Sequence, residues 1–352
     1  MRIPIFKNIK VTGIAGAIPK GIVNNLECHE NISIEEKNKT IKLTGVKEYR
    51  KASNSICTSD LCFEAAQVLF KSMDVNPELM DAILFVSQTP DYRMPATACL
   101  LQNKLGCSNN TIAFDINLGC SGYIYGLYTS FSLINGGSLK RVLLLCGDTQ
   151  TKFSCSQDKN VNFILGDGGS ATIIERCENS SPISFLLRTD GSRYDKMIIQ
   201  AGGFRNPSTE TTREIKQQHD GNSRCQEHVF MNGMDIFAFS VTDVVKTIKQ
   251  FMKEQNISEN NIDYLLLHQA NKFMTNKIAK KLKFPKEKVP YSLEKFGNTS
   301  SASIPLTLIH NFSKNNRLEN KNCLMAGFGV GLSWGVINIT FDTICCPPLV
   351  FV

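Results

Sequence analysis

The chain has 352 residues, of which 42% are hydrophobic, and a formal net charge of +7. This length allows about two domains with buried cores, and no run of about 18 apolar residues predicts a transmembrane helix. The absence of a basic stripe with interleaved aromatic residues disfavours nucleic-acid binding, and the thirteen cysteines lack the spacing of a zinc site. We therefore expect a cytoplasmic protein with no metal, no membrane segment and no signal peptide.

Strand-like and helix-like segments alternate through the first half. Strands are predicted at 9–17, 81–87 and 141–147, and a glycine-rich turn at 166–171 leads into a strand at 172–175. Helices are predicted within 26–46, with Gly45 as the stop, and at 63–73 and 97–105. This order predicts an α/β fold with largely parallel, buried strands.

The second half repeats the organisation of the first. Three pairs of similar segments align Asp81 with Asp263, Cys120 with Ser301, and Gly147 with Gly327, at offsets of 182, 181 and 180 residues. A nearly constant offset predicts a duplicated α/β unit. Between the halves, a long polar surface loop is predicted at 202–228, of the kind that often forms a lid or binding element. An amphipathic helix is predicted at 230–251.

One stretch would present a cysteine at a turn. Residues 113–122 begin as an apolar strand and end in Gly119-Cys120-Ser121-Gly122, and helix-like spacing follows. A strand that turns here into a helix would point helix N–H groups and the positive end of the dipole at the sulfur of Cys120. Such surroundings lower the pKa of a thiol and make it a nucleophile. The alternative is a small buried core residue, as free cysteines often are.

Two polar clusters in the second half combine with this cysteine. An apolar strand at 265–267 ends in His268, and Asn298 lies among small polar residues at 297–303. Each has a plainer interpretation, a hydrogen-bonded structural histidine and a helix cap. The duplication, however, brings the turns of Cys120 and Asn298 to pseudo-symmetric positions where one cavity can hold both. Such a trio can attack an acyl thioester and stabilise the developing oxyanion.

Together these motifs resemble those of β-ketoacyl-acyl-carrier-protein synthase III, a family of the thiolase-like superfamily. The resemblance runs in order through the Cys120 turn, 268–271, 297–303 and 328–335, and ends at about residue 341. It implies a five-layered αβαβα fold built from two duplicated halves, 1–176 and 177–352, usually in a homodimer. The last residues extend beyond it.

The resemblance implies a decarboxylative Claisen condensation that needs no cofactor. Cys120 would take an acyl group from a thioester substrate. His268 and Asn298 would bind the malonyl thioester of acyl carrier protein and stabilise the enolate that loss of CO₂ leaves. An active-site loop, Phe328-Gly329-Val330, would supply the N–H of Val330, which would hold the oxyanion together with the N–H of Cys120.

Further positions are implied to bind the substrate or a partner. Met94, before a proline, would reach the acyl pocket of the partner subunit and limit primer size. Asn271 and Phe273 would contact the substrate. Lys280 and Lys281, in the densest basic segment of the chain, would dock the acidic acyl carrier protein.

The positions at which the family holds coenzyme A are changed. A Trp and an Arg of the family correspond here to about Lys39 and Leu43, and an Asn, a Lys and an Arg correspond to Met234, Ala238 and Phe273. The catalytic trio is intact, whereas the residues that bind coenzyme A in the family are replaced. These changes favour a primer delivered on a carrier protein, or a specialised pathway in place of housekeeping fatty-acid initiation.

Other functions fit the same residues less well. A non-decarboxylating acyltransferase would use the same cysteine and histidine to pass the acyl group to a hydroxyl or amine. A papain-like cysteine hydrolase also has Cys, His and Asn in this order, but Cys120 lies far from the N-terminus and has no tryptophan beside it. A scaffold that only binds acyl carriers predicts the loss of one of the trio, and all three are present.

Overall fold

The computed structural model describes residues 3–28, 32–314 and 318–352. The strands are β1 Ile5–Phe6, β2 Ile9–Ile18, β3 Ile22–Asn24, β4 Glu48–Arg50, β5 Ala82–Val86, β6 Ile112–Ile116, β7 Arg141–Asp148, β8 Gly168–Arg176, β9 Ile183–Thr189, β10 Met197–Ile198, β11 Lys216–Gln217, β12 Ser223–Arg224, β13 Phe230–Met231, β14 Tyr264–Leu267, β15 Lys321–Gly329, β16 Ser333–Phe341 and β17 Val350–Phe351. The helices are α1 Ile34–Thr44, α2 Thr58–Met73, α3 Thr97–Lys104, α4 Gly122–Asn135, α5 Lys159–Asn162, α6 Glu210–Arg213, α7 Gly233–Phe239, α8 Val245–Glu254, α9 Lys272–Lys281, α10 Leu293–Phe296 and α11 Ser303–Phe312. No helix in the described ranges is long and apolar enough to cross a bilayer.

Two large mixed sheets form the framework. The first has the order β17-β2-β8-β7-β5-β6, and the second has the order β1-β9-β16-β15-β14. The prediction of largely parallel strands is wrong for the second sheet, in which three of the four described pairings are antiparallel. In the first sheet three of the five described pairings are parallel. Strands β5, β6 and β7 are parallel to one another, but β8 runs antiparallel to β7, as β16 does to β15. A parallel neighbour needs a crossover connection that passes over a face of the sheet. The chain after β7 and after β15 instead turns back, so that the next strand lies antiparallel beside the one before it.

The duplication predicted from the sequence is confirmed by the fold. Strands β5 and β14, helices α4 and α11, and strands β7 and β15 occupy equivalent places in the two halves. Their first residues are offset by 182, 181 and 180 positions, as the aligned segments predict. The division into 1–176 and 177–352 stays a prediction, because β1 lies in the second sheet and β17 lies in the first.

Three large hydrophobic clusters pack the five layers of the fold against one another. Successive residues of β7 alternate between two of them: Leu143 and Leu145 face α2 and α3, whereas Val142 and Leu144 face the centre. The central cluster includes α4 and α11 and lies between the sheets. A third cluster joins the outer face of the second sheet to α8 and α9. The five-layered αβαβα arrangement is therefore confirmed.

Two segments between the halves differ from their predictions. The helix predicted at 230–251 begins only at Gly233, after β13, and contains a π-helical turn at Ser240–Val244 between α7 and α8. The loop predicted at 202–228 contains α6 and the β11–β12 hairpin.

In the first half, the turn predicted at 166–171 is instead largely the beginning of β8. Its glycines pack against other elements; a Cβ on Gly168 would lie 2.6 Å from the side chain of Leu306.

Candidate active site

Cys120 lies at a tight turn between β6 and α4. The N–H of Gly122 donates a hydrogen bond of 2.7 Å to the carbonyl of Gly119. Glycine is required at 122, because a Cβ there would lie 2.6 Å from the side chain of Val86 on the neighbouring strand. The cysteine itself is only 7% exposed. The turn predicted from the sequence is therefore present, and it places the sulfur in the interior beside the second half of the chain.

The thiol of Cys120 is neutral at rest. Burial raises its pKa to about 12, and the charge of the nearby Asp148 carboxylate acts in the same direction. Hydrogen bonds with the backbone N–H groups of Val330 and Cys120 and with the hydroxyl of Ser300 lower the pKa by less. The prediction of a lowered pKa is therefore wrong, because desolvation of the thiolate outweighs the donors and the helix end.

The active-site loop passes directly over the sulfur. A Cβ on Gly329 would lie 2.9 Å from Sγ of Cys120, so only glycine allows the backbone to approach so closely. The next N–H, that of Val330, points at the sulfur. Phe328 packs with its ring edge-on to the imidazole of His268, at a centroid distance of 5.6 Å. The three predicted loop residues thus lie between the cysteine and the histidine.

His268 ends β14 and is almost completely buried, with 1% exposure. Its backbone N–H donates to the carbonyl of Ala326 at 2.8 Å, and its Nδ1 lies 2.7 Å from the hydroxyl of Ser303. Burial lowers the pKa of the ring to about 3, against a smaller opposing effect of a backbone hydrogen bond with Ser300. The imidazole is therefore neutral at physiological pH and carries a single N–H donor.

Asn298 belongs to the second half of the chain but pairs with the first. It forms a parallel bridge with Leu165, in which its N–H donates to Ile164 at 2.8 Å and its carbonyl accepts from Gly166 at 2.9 Å. The side-chain Oδ1 accepts from the N–H of Ser300 at 2.9 Å, which leaves the NH₂ group as the donor available to a ligand. Asn298 does not cap α11, since that helix begins at Ser303.

Cys120, His268 and Asn298 line one narrow cavity of about 70 Å³. Residues of both halves complete its wall: Asn160, Val161, Ile164, Leu165, Met197, Met231, Gly233, Ile236, Ala270, Asn271, Met274, Phe328 and Gly329. The sequence analysis missed the wall residues at 160–165 and the two methionines. The prediction that the loop at 202–228 is a binding element came nearest to the two methionines. Met197 and Met231 pair with each other in β10 and β13, which flank this loop.

Two of the predicted substrate-binding residues lie at or near the cavity. Asn271 lines it and also caps α9, with Oδ1 accepting from the N–H of Met274 at 2.8 Å. Phe273 lies two residues further along, 39% exposed. It stacks on Phe237 at a centroid distance of 5.4 Å, and the ammonium of Lys277 lies 5.2 Å from its ring centre. Phe273 therefore belongs to an aromatic stack with a cation over one of its rings.

The remaining predicted residues lie on the surface. Met94 is 85% exposed and is not part of the cavity wall. Lys280 is exposed near the end of α9. The ammonium of the neighbouring Lys281 donates to the carbonyl of Val241 in the π-helical turn at 2.8 Å. The two lysines therefore differ, because one of them holds a structural contact.

Comparisons with known proteins agree with this geometry. Models of 3-oxoacyl-[acyl-carrier-protein (ACP)] synthase III and of its C-terminal region match residues 114–191 and 252–341. A putative 3-oxoacyl-[acyl-carrier-protein] synthase 3 of Campylobacter jejuni is 34% identical over 96% of this chain and 95% of its own. The chain belongs to the β-ketoacyl-acyl-carrier-protein synthase III family. Like its relatives, it is an acyl-transferring condensing enzyme.

Two further relatives place the resemblance over the whole fold. A β-ketoacyl-[acyl-carrier-protein] synthase III of Clostridium perfringens is 33% identical over 95% of this chain and 99% of its own. The crystal structure of a 3-oxoacyl-(acyl-carrier protein) synthase from Burkholderia xenovorans superposes with a TM-score of 0.93, at 32% identity, over 100% of this chain and 99% of that one. The thiolase-like fold expected from the sequence is thereby confirmed, and family membership favours condensation over the cysteine hydrolase.

Proposed function

We propose that Cys120, His268 and Asn298 carry out a decarboxylative Claisen condensation between an acyl thioester and malonyl-acyl-carrier protein. The observation that supports this proposal is their convergence, from both halves of the chain, on one narrow cavity. No cofactor is needed, because a thiol, an imidazole, an amide and backbone N–H groups supply every donor and nucleophile that the two steps require.

In the first step, the sulfur of Cys120 attacks the thioester carbonyl of the primer. The N–H groups of Cys120 and Val330, which already point at the sulfur, stabilise the negative oxygen of the tetrahedral intermediate. The thiol gives up its proton as the bond to carbon forms, since its ionised form is disfavoured at rest. As the bond to the carrier's sulfur breaks, that leaving thiolate takes up the proton, so the carrier departs as a free thiol and the acyl group remains on Cys120.

In the second step, malonyl-acyl-carrier protein enters the same cavity. This step uses the tautomer of His268 in which Nδ1 accepts from the hydroxyl of Ser303, 2.7 Å away, and the single ring proton is on Nε2. That N–H and the NH₂ of Asn298 bind the malonyl thioester carbonyl and stabilise the enolate as CO₂ leaves. The carbanion attacks the acyl carbonyl and the bond to sulfur breaks. The thiolate of Cys120 takes up a proton from solvent, and a 3-oxoacyl-carrier protein is released.

Exposed apolar and basic residues that neighbour wall residues of the cavity in the chain suit a substrate carried on a protein. Phe273, Phe237 and Lys277 form an apolar platform with a cation above it, and Met234 nearby in the chain is 82% exposed. Lys280 and Lys281 belong to the same helix, and a cluster of lysines attracts the acidic surface of an acyl carrier protein. We therefore propose that the carrier protein docks at α9 and that the primer is delivered on such a carrier.

The edge of the first sheet supports a homodimer. Within the described ranges, strand β6 pairs with β5 alone, and an unpaired edge favours association with another chain. Large apolar side chains are exposed nearby: Met94 at 85% and Ile112 at 47%. Phe204, 90% exposed, lies beneath the guanidinium of Arg93, 5.9 Å from its centre. We propose that two copies pair across this face and that Met94 reaches the partner's acyl pocket.

A cytoplasmic location fits this chemistry. All thirteen cysteines fall within the described ranges and are unpaired, and a nucleophilic thiol must stay reduced to accept an acyl group. The proposal of a reducing compartment rests on that requirement.

Intact-protein mass spectrometry tests the function directly. The enzyme is incubated with acyl-coenzyme A and acyl-carrier thioesters of different chain length, and malonyl-carrier protein is then added. An acyl adduct on Cys120 that disappears with release of CO₂ is the expected result, and Cys120→Ala forms no adduct. An adduct that malonyl-carrier protein never discharges, but that a hydroxyl or amine removes, would replace condensation by simple acyl transfer.

A further inference from the structure

Asp148 is a buried carboxylate beside the cavity to which the mechanism gives no role. It ends β7 and is 1% exposed. Its Oδ1 accepts hydrogen bonds from the residues that follow β5: from the N–H of Gln88 at 2.7 Å, the hydroxyl of Ser87 at 3.1 Å and the hydroxyl of Thr89 at 3.4 Å. Through this oxygen, Asp148 at the end of β7 is therefore tied to the residues that follow the neighbouring strand β5.

The second oxygen of Asp148 faces the other half of the chain. Oδ2 accepts from the hydroxyl of Ser301 at 3.1 Å and from its N–H at 3.4 Å. The hydroxyl of Ser300 is also within hydrogen-bonding reach of the carboxylate. A single buried carboxylate thus joins the first sheet to the turn at 298–303 and leaves neither of its oxygens without a donor.

That turn carries the contacts that orient the two catalytic donors. The N–H of Ser300 fixes the amide of Asn298 at 2.9 Å, and the hydroxyl of Ser303 lies 2.7 Å from Nδ1 of His268. Ser300 has a φ of +51°, a left-handed conformation that is uncommon for a residue with a side chain. Its N–H is held by Asn298 and its hydroxyl contacts Asp148.

We propose that Asp148 is a positioning residue for the decarboxylation step. Its carboxylate clamps the turn at 298–303 onto the ends of β5 and β7, and so holds the donors of Asn298 and His268 at the place where the enolate forms. This inference rests on the roles proposed above for those two residues.

The clamp predicts a separation between the two chemical steps. Acylation uses the sulfur of Cys120 and the N–H groups of Cys120 and Val330, and of these only the sulfur contacts the turn, through the hydroxyl of Ser300. Decarboxylation uses Asn298 and His268, whose orientation depends on the turn as a whole. A displacement of about 1 Å in a catalytic group can cost on the order of 100-fold in rate. Loosening the turn should therefore slow decarboxylation far more than acylation.

The test compares Asp148→Asn and Ser301→Ala with the unaltered enzyme. Acylation is followed by intact-mass spectrometry of Cys120, and decarboxylation by CO₂ release from malonyl-carrier protein. For Asp148→Asn we expect CO₂ release to fall by tenfold or more while acylation falls by less than about threefold or rises, since loss of the carboxylate charge also favours the thiolate of Cys120. Ser301→Ala should show a smaller fall in CO₂ release and no loss of acylation. Thr111→Val is the matched control, since it removes a buried hydroxyl that donates to Met80, outside the cavity wall.

A parallel fall in both steps would overturn the clamp, because a residue that only supports the fold lowers the two together. Unchanged CO₂ release in Asp148→Asn would overturn it as well. Should that variant fail to fold, Ser301→Ala decides by the same criterion. His268→Ala in the same assay tests the proposed function separately: normal CO₂ release there would overturn the role of His268, while the comparison of Asp148→Asn with the unaltered enzyme still decides the clamp.

Discussion

The backbone of Gly329 lies against the side chain of Cys120, so that a Cβ on Gly329 would be 2.5 Å from Cβ and 2.9 Å from Sγ of the cysteine. Gly329→Ala must therefore displace either the sulfur or the loop that carries the N–H of Val330. We expect acylation of Cys120 to slow by about 100-fold, since loss of one oxyanion donor costs that much. Gly191→Ala is the control, because nothing lies within 4 Å of a Cβ there; equal rates in the two variants would contradict the assignment.

Loss of either proposed donor to the enolate, His268 or Asn298, should slow decarboxylation and leave acylation nearly unchanged. His268→Ala and Asn298→Ala each remove a donor to the enolate, so we expect CO₂ release from malonyl-carrier protein to fall by about 100-fold or more. Formation of the acyl adduct on Cys120 should continue within a few-fold of the original rate. Quantitative intact-mass kinetics measure the adduct, and trapping of released CO₂ measures the second step. Loss of acylation in either variant would show that the roles are assigned wrongly.

The low pKa of His268 predicts an unusual pH profile for decarboxylation. A histidine with an ordinary pKa of about 6.5 would gain a proton, and change its donors, as the pH falls through 6.5. Burial lowers the pKa of His268 to about 3, so the ring stays neutral at every pH above that value. We expect the rate of CO₂ release at saturating malonyl-carrier protein to be flat from about pH 5 to about pH 8. A fall centred near pH 6.5 would contradict the burial of this ring.

The thiol of Cys120 should titrate far above an ordinary cysteine. Its raised pKa of about 12 means that the thiolate fraction, and with it the rate of alkylation by iodoacetamide, keeps rising beyond the usual pKa of about 8.5. Because the charge of Asp148 contributes to the shift, Asp148→Asn should move the profile to lower pH. Ser301→Ala keeps the carboxylate and should leave the profile in place. A plateau near pH 9 in the unaltered enzyme would refute this account.

The two adjacent lysines of α9 should behave differently on charge reversal. Lys280→Glu should raise the KM for malonyl-carrier protein several-fold without changing thermal stability, because the residue is exposed and charge complementarity governs encounter. Lys281→Glu should also lower the free energy of unfolding, by about 1 kcal/mol, since it loses the hydrogen bond to Val241. Lys71→Glu on α2 reverses an exposed charge elsewhere and serves as the control. Equal KM values in all three variants would remove α9 as the docking site.

Met94 offers a test of the dimer and of the primer pocket together. The side chain is 85% exposed, so shortening it should leave the stability of the single chain unchanged. If it fills the partner's acyl pocket, Met94→Ala should shift primer preference toward longer chains, measured by competition between acyl thioesters of graded length. Met94→Asp should weaken the dimer in sedimentation velocity, because it would bury a charge. No change in either measurement would place Met94 outside the interface.

Much of this architecture follows from local patterns, and the remainder from contacts that no local pattern contains. The apolar runs of β5, β7 and β14 and the polar residues that end them are legible in the sequence, as are Cys120, His268 and Asn298. The π-helical turn at 240–244 is not, because it differs from an α-helix by a single register shift within an unbroken amphipathic pattern.

The electrostatics of the site were the least predictable feature. The helix end that favours a thiolate is local to residues 120–122, whereas the burial that opposes it depends on the whole tertiary structure around the sulfur. Asp148 illustrates the same limit. In sequence it is one of 32 acidic residues, and its importance comes from donors at 87–89 and 300–301, which are separated from it by about 60 and 150 positions.

The exchange of terminal strands between the two sheets ties the halves into one folding unit. Strand β1, from the start of the chain, borders the second sheet, and β17 extends the first sheet beside β2, with the N–H of Val352 donating to Ile18 at 3.0 Å. During synthesis the first sheet cannot gain this edge strand until β17, which follows the other strands in chain order, has left the ribosome. A cut between the halves would therefore yield two fragments, each of which lacks an edge strand that the other carries, despite their common origin by duplication.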